Sequence, residues 1–396
     1  MLSRTDQLEE HLIAIRRHLH QYPELSNEEY ETTKFIRKCL EENNISILET
    51  KLKTGVIAEI KGKKEGPVIA IRADIDALPI EEKTGLSYTS KISGKMHACG
   101  HDFHTAAAIG AAYLLKENEE NLNGTIKFIF QPAEELGGGA EKVIKDGHIR
   151  NVEAIIGIHN KPDLQVGTIG LKAGALMAAV DRFQVVFRGK GSHAAMPHNG
   201  SDPITASAYL ITALQTIVSR NVSPLHSAVV SVTKITGGST WNVIPGDVTI
   251  EGTIRTFDHH IRQEVEARFR KIIEHTASGF SQEFSIRWFP GPPPLQNNPA
   301  VTEILHQSAN SQSLHIIDPV PSMAGEDFSY YLQHIPGAFV FFGTNGNEDW
   351  HHPAFTIDEK SLMKAAQFLY KGALSVLNHY VDDYYKLKNK QPYSVE

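Results

Sequence analysis

The run His97-Ala98-Cys99-Gly100-His101-Asp102-Phe103-His104-Thr105 constrains this chain more than any other stretch. It packs a thiol, three imidazoles and a carboxylate into nine residues, then continues directly into Ala106-Ala107-Ala108-Ile109-Gly110-Ala111-Ala112. A helix of such small residues packs close to its neighbours and carries the polar groups before it into the interior. Burying each of them without a partner costs about 2–7 kcal/mol. A metal ion removes that cost. Cys99 and His101, two apart, can point to one side of a turning backbone, and thiolate with imidazole suits zinc-like ions. By itself, Cys-x-His reads equally as a buried thiol beside capping polar residues.

Three apolar runs repeat the pattern. Val68-Ile69-Ala70-Ile71-Arg72 ends in Ala73-Asp74-Ile75-Asp76-Ala77-Leu78-Pro79. Thr125-Ile126-Lys127-Phe128-Ile129-Phe130 runs into Gln131-Pro132-Ala133-Glu134-Glu135, with Gly137-Gly138-Gly139 just beyond. Ala154-Ile155-Ile156-Gly157-Ile158 ends in His159-Asn160. Open α/β sheets place their chemistry at the carboxyl ends of strands. Pro132 stops its strand and the glycines permit a tight turn. Successive side chains diverge, so Glu134 and Glu135 divide their work: one can bind a metal while the other faces the substrate. Any one cluster also reads as solvated acids; three at strand ends point to a metal site.

Length sets the domain count. At 396 residues the chain exceeds one ordinary core, and 41% hydrophobic with 21% charged residues is a globular composition. A net charge of −7 leaves no basic footprint for nucleic acid. No apolar run approaches the roughly 20 residues of a membrane span. Met1-Leu2-Ser3-Arg4-Thr5-Asp6 leads into a charged helix with no apolar leader, and Cys39 and Cys99 make no disulfide framework, so a cytoplasmic protein is expected.

Leu8, Leu12, Ile15 and Leu19 mark an amphipathic helix, and Ser26 with Glu29 reads as a capping box opening a second. From Arg182 the pattern changes. Strands at 182–188, 228–235, 248–256 and 284–288 alternate with helices opened by Asp202-Pro203 and centred on 264–273. That β-α-β-β-α-β order predicts a ferredoxin-like α+β unit, 179–290, inserted into a first domain of 1–178 and 291–396. The first domain resumes through Pro290-Gly291-Pro292-Pro293-Pro294 and includes Gly325-Glu326-Asp327-Phe328, the strand 338–343 and a C-terminal helix with a polar, frayed tail from Tyr384.

With these residues in place, the chain resembles the dinuclear-metal amidohydrolases that include N-acyl-amino-acid hydrolases, hippurate hydrolases and auxin-conjugate hydrolases. The motifs that carry the likeness are Arg72–Pro79, His97–Asp102, Gln131–Glu135, Gly157-Ile158-His159, Gly191-Ser192-His193-Ala194-Ala195-Met196-Pro197-His198 and Gly325–Phe328. The resemblance implies an α/β fold, a zinc-peptidase-like catalytic domain with a mixed sheet flanked by helices, interrupted by a lid or dimerisation domain. It implies that Cys99, His101, Glu135, His159 and a late histidine bind two metals, with the thiolate bridging, and that Glu134 is the general base. The family's His-x-Pro-x-Phe pattern places the late ligand at His351 rather than His352. Asp74 departs from the histidine that related metallopeptidases use, as this branch does, and Asp76 is expected to orient His101.

The implied chemistry is amide hydrolysis by a metal-activated water, the ions being zinc, manganese, cobalt or nickel. His193 is the candidate for stabilising the oxyanion. Asn242 and Arg255 are candidates for the substrate carboxylate, Arg255 reading also as a structural ion pair. Relatives dimerise through the inserted domain, which implies a homodimer or homotetramer. A dipeptidase or aminopeptidase on the same metals is the alternative enzyme. A cysteine hydrolase using Cys99 and a non-catalytic metal-binding protein are the other classes.

Overall fold

A computed structural model describes residues 4–388 of the chain. The expectations for Met1–Ser3 and for the tail beyond Lys388 lie outside the described residues. Two compact units emerge. One runs up to Gly174 and takes in Gln296–Val320 and the chain from Tyr330 onward; the other is Ala175–Leu295 with Pro321–Ser329.

The first unit is built on an eight-stranded mixed sheet. Its order is Ser46–Ile47, Val56–Lys61, Asn123–Gln131, Lys64–Asp74, Ala154–Lys161, Gly337–Gly343, Thr168–Gly170, His315–Ile317. The four central strands, 123–131, 64–74, 154–161 and 337–343, run parallel, so their carboxyl ends share one edge. Their inner stretches, 68–71, 128–130, 154–158 and 338–342, are apolar, as parallel strands covered on both faces require. Helices Arg4–Gln21, His101–Glu117 and Lys360–Lys388 pack on one another around Leu12, Ile109, Ala366 and Leu369. Gly110 shows how close they come: a Cβ there would lie 2.6 Å from Leu12 Cδ1 and 2.7 Å from the Ala366 methyl. The small-residue run after Thr105 is thus the seam of three helices. Lys360–Lys388 carries the chain past Tyr384 as helix, where a frayed tail was expected.

The second unit is a four-stranded antiparallel sheet, ordered Ala228–Gly237, Asp247–Thr256, Ala179–Arg188, Glu283–Pro290, with helices Pro203–Asn221 and His259–Gly279. This is the ferredoxin-like β-α-β-β-α-β topology. Along Ala179–Arg188, Phe183, Val185 and Phe187 turn inward onto Leu210, Leu214 and Phe269. Asp202 and Asp258 cap the two helices, each accepting from two backbone N–H groups.

Two expectations need correction. Gly325–Phe328 belongs with the second unit, because Ala178 N–H donates to the carbonyls of Ser322 and Ala324 and ties 321–329 to it. Ser26 and Glu29 do not form a capping box either. Glu24 caps that helix, accepting from Glu31 N and Thr32 N, while Ser26 Oγ donates to Asp76 Oδ2 at 2.6 Å. Among the described residues no helix is long and apolar enough to cross a membrane.

Candidate active site

The shared edge of the parallel strands gathers residues from four distant stretches. Asp74 and Gln131 end adjacent strands in register. His159 lies near the end of the next strand, paired with Phe341. Cys99 precedes the helix that begins at His101, whose N-cap is Gly100 at φ +82°. Only glycine fits there: a Cβ would lie 2.3 Å from Asn160 Nδ2, which itself donates to Cys99 O at 2.5 Å.

Two donor triads result, and they share Cys99. One is Cys99, His101 and His159; the other is Cys99, Glu135 and His351, the donor atoms of each lying within 4.8 Å of one another. Glu134 makes a further group with His101 and Glu135. Cys99 Sγ is 3.6 Å from His159 Nε2. Glu135 Oε1 is 3.9 Å from His101 Nε2 and 3.5 Å from His351 Nε2. His352 faces Glu348 and accepts from Ala354 N instead.

The donor set fits a cation by its unmet valences. His101 Nε2 and Glu135 Oε1 are buried and have no hydrogen-bond partner. His101 Nδ1 donates to Asp76 O at 2.9 Å and lies 3.2 Å from Asp76 Oδ1, which turns Nε2 into the pocket. His159 Nδ1 likewise donates to Asn160 O at 2.8 Å. The pocket is strongly negative. Burial opposes charge on His101, yet Asp74, Asp76 and Glu135 raise its pKa to about 10. Burial, then the neighbouring His104, holds His159 well below the usual imidazole range, so it stays neutral. Burial and the carboxylates of Glu135, Glu134 and Asp74 push the Cys99 thiol well up.

Asp74, His101 and His104 also cluster, but hydrogen bonds already occupy the first and last of them. His104 Nδ1 donates to Asp74 Oδ1 at 2.6 Å and its Nε2 accepts from Asn160 N at 2.8 Å. Asp74 Oδ2 takes Arg72 Nη1 at 2.6 Å. Asp102, Arg16 and His20 form a separate buried network, with Oδ2 of Asp102 2.8 Å from both Arg16 Nε and His20 Nδ1.

In the second unit, Ser192–His193 pairs with Val243–Ile244, and Ala194 N donates to Asn242 O. A cleft of about 720 Å³ opens there, lined by His193, Gly237, Val243, Asp247 and Thr249. His193 Nδ1 accepts from Ala195 N at 3.1 Å, so its neutral ring carries the proton on Nε2. Arg255 stands at the other end of the strand Asp247–Thr256. It lies six positions beyond Thr249, about 20 Å along the strand. Asn242 lies outside that strand, directly before Val243–Ile244. Asp181 takes the Arg262 fork at 2.7 and 2.8 Å, and its charge also acts on Arg255.

Sequence reasoning passed over Asn160, although it adjoins His159. It also passed over Trp350, whose Nε1 donates to Asn160 O at 3.1 Å and whose ring lies 4.6 Å from that of His159. Trp350 directly precedes His351, and that adjacency was the available signal.

This arrangement, a parallel sheet edge bearing paired donor triads, has close relatives. Residues 70–375 match the model of peptidase family M20/M25/M40. N-acetyl-L-cysteine deacetylase of Bacillus subtilis is 62% identical over 371 residues, covering 94% of this chain and 89% of that protein. The IAA-amino acid hydrolase ILR1-like 4 of Arabidopsis thaliana is 40% identical, covering 89% and 82%. The crystal structure of the Bacillus subtilis YXEP protein, described as a dinuclear metal binding peptidase, superposes with a TM-score of 0.86 at 49% identity, covering 94% and 99%. The chain belongs to peptidase family M20/M25/M40, and it is a metal-dependent amidohydrolase.

Proposed function

We propose that this chain hydrolyses the amide bond of N-acyl-amino acids. In this reading Cys99, His101, Glu135, His159 and His351 hold two divalent ions, and Glu134 is the general base. The observation that carries it is the pair of donor triads sharing Cys99, with Glu134 beside His101 and Glu135. Bound there, zinc, manganese, cobalt or nickel supplies an acidified water and a Lewis acid.

Glu134 takes a proton from the attacking water and delivers it to the departing amine. His193 donates from Nε2–H to the carbonyl oxygen as charge builds on it. Arg255 offers a two-pronged guanidinium to the substrate carboxylate, and Asn242 offers an amide. His193, which lies in the inserted unit while every proposed metal ligand lies outside it, completes the site of the partner subunit. A homodimer or homotetramer through the inserted unit follows, and Ala228–Gly237, an edge strand of its sheet, is the pairing surface. Two buried free thiols, Cys39 and Cys99, suit the reducing cytoplasm.

The test is a substrate screen of purified protein, stripped of metal and reloaded with each ion in turn. N-acetyl- and N-benzoyl-amino acids should be cleaved and dipeptides poorly. Turnover of dipeptides alone, or full activity after metal removal, would overturn the reading.

A further inference from the structure

The turn that presents Glu134 and Glu135 is held from outside the site. Ala133 has φ +55°, a left-handed conformation costly for a residue with a Cβ. Its carbonyl accepts from Gly139 N at 3.2 Å, closing the turn from one side. From the other side, Glu29 Oε1 accepts from Ala133 N at 2.8 Å, across 104 residues of sequence. Glu29 Oε2 accepts from Thr54 Oγ1 at 2.8 Å. Glu29 is fully buried, and Thr54 and Ala133 nearly so. A carboxylate sealed from solvent at a helix start, yet making no cap to that helix, has its role elsewhere.

We infer that Glu29 is a positioning residue. It clasps the left-handed Ala133 and thereby aims Glu134 and Glu135 into the site. The inference rests on the roles proposed above for those two glutamates. Asp76 completes the brace: its Oδ2 accepts from Glu135 N at 3.1 Å and from Ser26 Oγ at 2.6 Å. The segment Glu24–Glu29 thus reaches the metal-side loops at two points, through Ser26 and through Glu29.

The experiment compares Glu29→Ala and Glu29→Gln with the unaltered protein. Three readouts apply: amide exchange across residues 131–139, metal affinity by chelator competition, and kcat with KM in the metal-loaded enzyme. Glu29→Ala should exchange faster in that segment and lose about 10–100-fold in metal affinity and kcat, with KM little changed. Glu29→Gln should restore all three, because its amide oxygen accepts from Ala133 N and its NH₂ donates to Thr54 Oγ1. In an Ala133→Gly background the loss from Glu29→Ala should shrink, since glycine adopts φ > 0 without the Cβ penalty. Unchanged exchange, equal losses in the two Glu29 variants, or faster exchange with unaltered affinity and kcat would each overturn the inference. Separately, Glu134→Ala and Glu135→Ala with full activity and metal binding would sink the functional reading, and amide exchange alone would still decide whether Glu29 holds the turn.

Discussion

Cys99 Sγ and His159 Nε2 stand 3.6 Å apart, although 60 residues separate them in the chain. The contact exists because Gly100 turns left-handed and lets Asn160, the residue after His159, donate to the Cys99 carbonyl. One amide side chain thus fixes the spacing of two donors, and His104 and Trp350 bond to that same residue. The donor set is built as much by Asn160 as by the donors.

The two adjacent glutamates should separate cleanly. Glu134→Ala is expected to keep its metal and lose at least about 100-fold in kcat, the scale of general base catalysis. Glu135→Ala should lose metal. Metal content by atomic absorption beside kcat decides it, and equal content with equal residual activity would refute the division.

Cys99 should behave as a shielded ligand. Burial and the surrounding carboxylates keep the metal-free thiol protonated at neutral pH, so metal binding must release its proton. Affinity should therefore rise with pH, with net proton release on binding visible in calorimetry across buffers. Divalent ion should also protect Cys99 from alkylation; one alkylation rate with and without metal would show that it is no ligand.

Asp102 should carry acid resistance. Burial opposes its charge, but Arg16 and His20 hold its carboxyl well below the ordinary range. Its contribution is complete above the unfolded pKa of about 3.9 and is lost as pH falls towards the folded value. His20 is the reverse. Burial opposes its charge, yet hydrogen bonds to Asp102 and Glu82 raise its pKa. Its contribution is complete below about 6.5 and fades as pH rises through the folded value. Asp102→Asn leaves the buried Arg16 with Glu359 as its remaining carboxylate partner and should cost at most about 3–5 kcal/mol. Urea unfolding over a pH series measures both limbs, and a profile parallel to wild type would contradict the linkage.

His193 should act across subunits. His193→Ala is expected to fold, load metal and assemble, yet turn over poorly. Mixed with inactive Glu134→Ala, it forms hybrids in which one site has both groups, and part of the activity should return. Complementation that stays at the level of the parents, with subunit exchange verified by mass, would place His193 in its own subunit's service or outside catalysis.

Much of this was written in local pattern. Apolar runs ending in Asp74, Gln131 and His159 specified parallel strands with their chemistry at one edge, because strand periodicity and Pro132 act over a few residues. The small-residue run after Thr105 specified a buried helix, since only Ala and Gly permit an approach like that of Gly110 to Leu12 and Ala366. Other features needed the folded chain. Ser26 and Glu29 carry the local signature of a capping box, yet long-range partners at Asp76 and Ala133 outbid the nearby backbone, and Glu24 took over the cap. Asp74 and His104 have ligand chemistry by type, and only their hydrogen bonds to Arg72 and Asn160 show them already engaged. Asn242 and Arg255 lie thirteen positions apart in sequence, Arg255 near the end of an extended strand and Asn242 before the separate short strand Val243–Ile244. Sequence spacing specifies which groups exist and in which local conformation. Which lone pairs remain open is decided by contacts that arise only when distant segments close on one another.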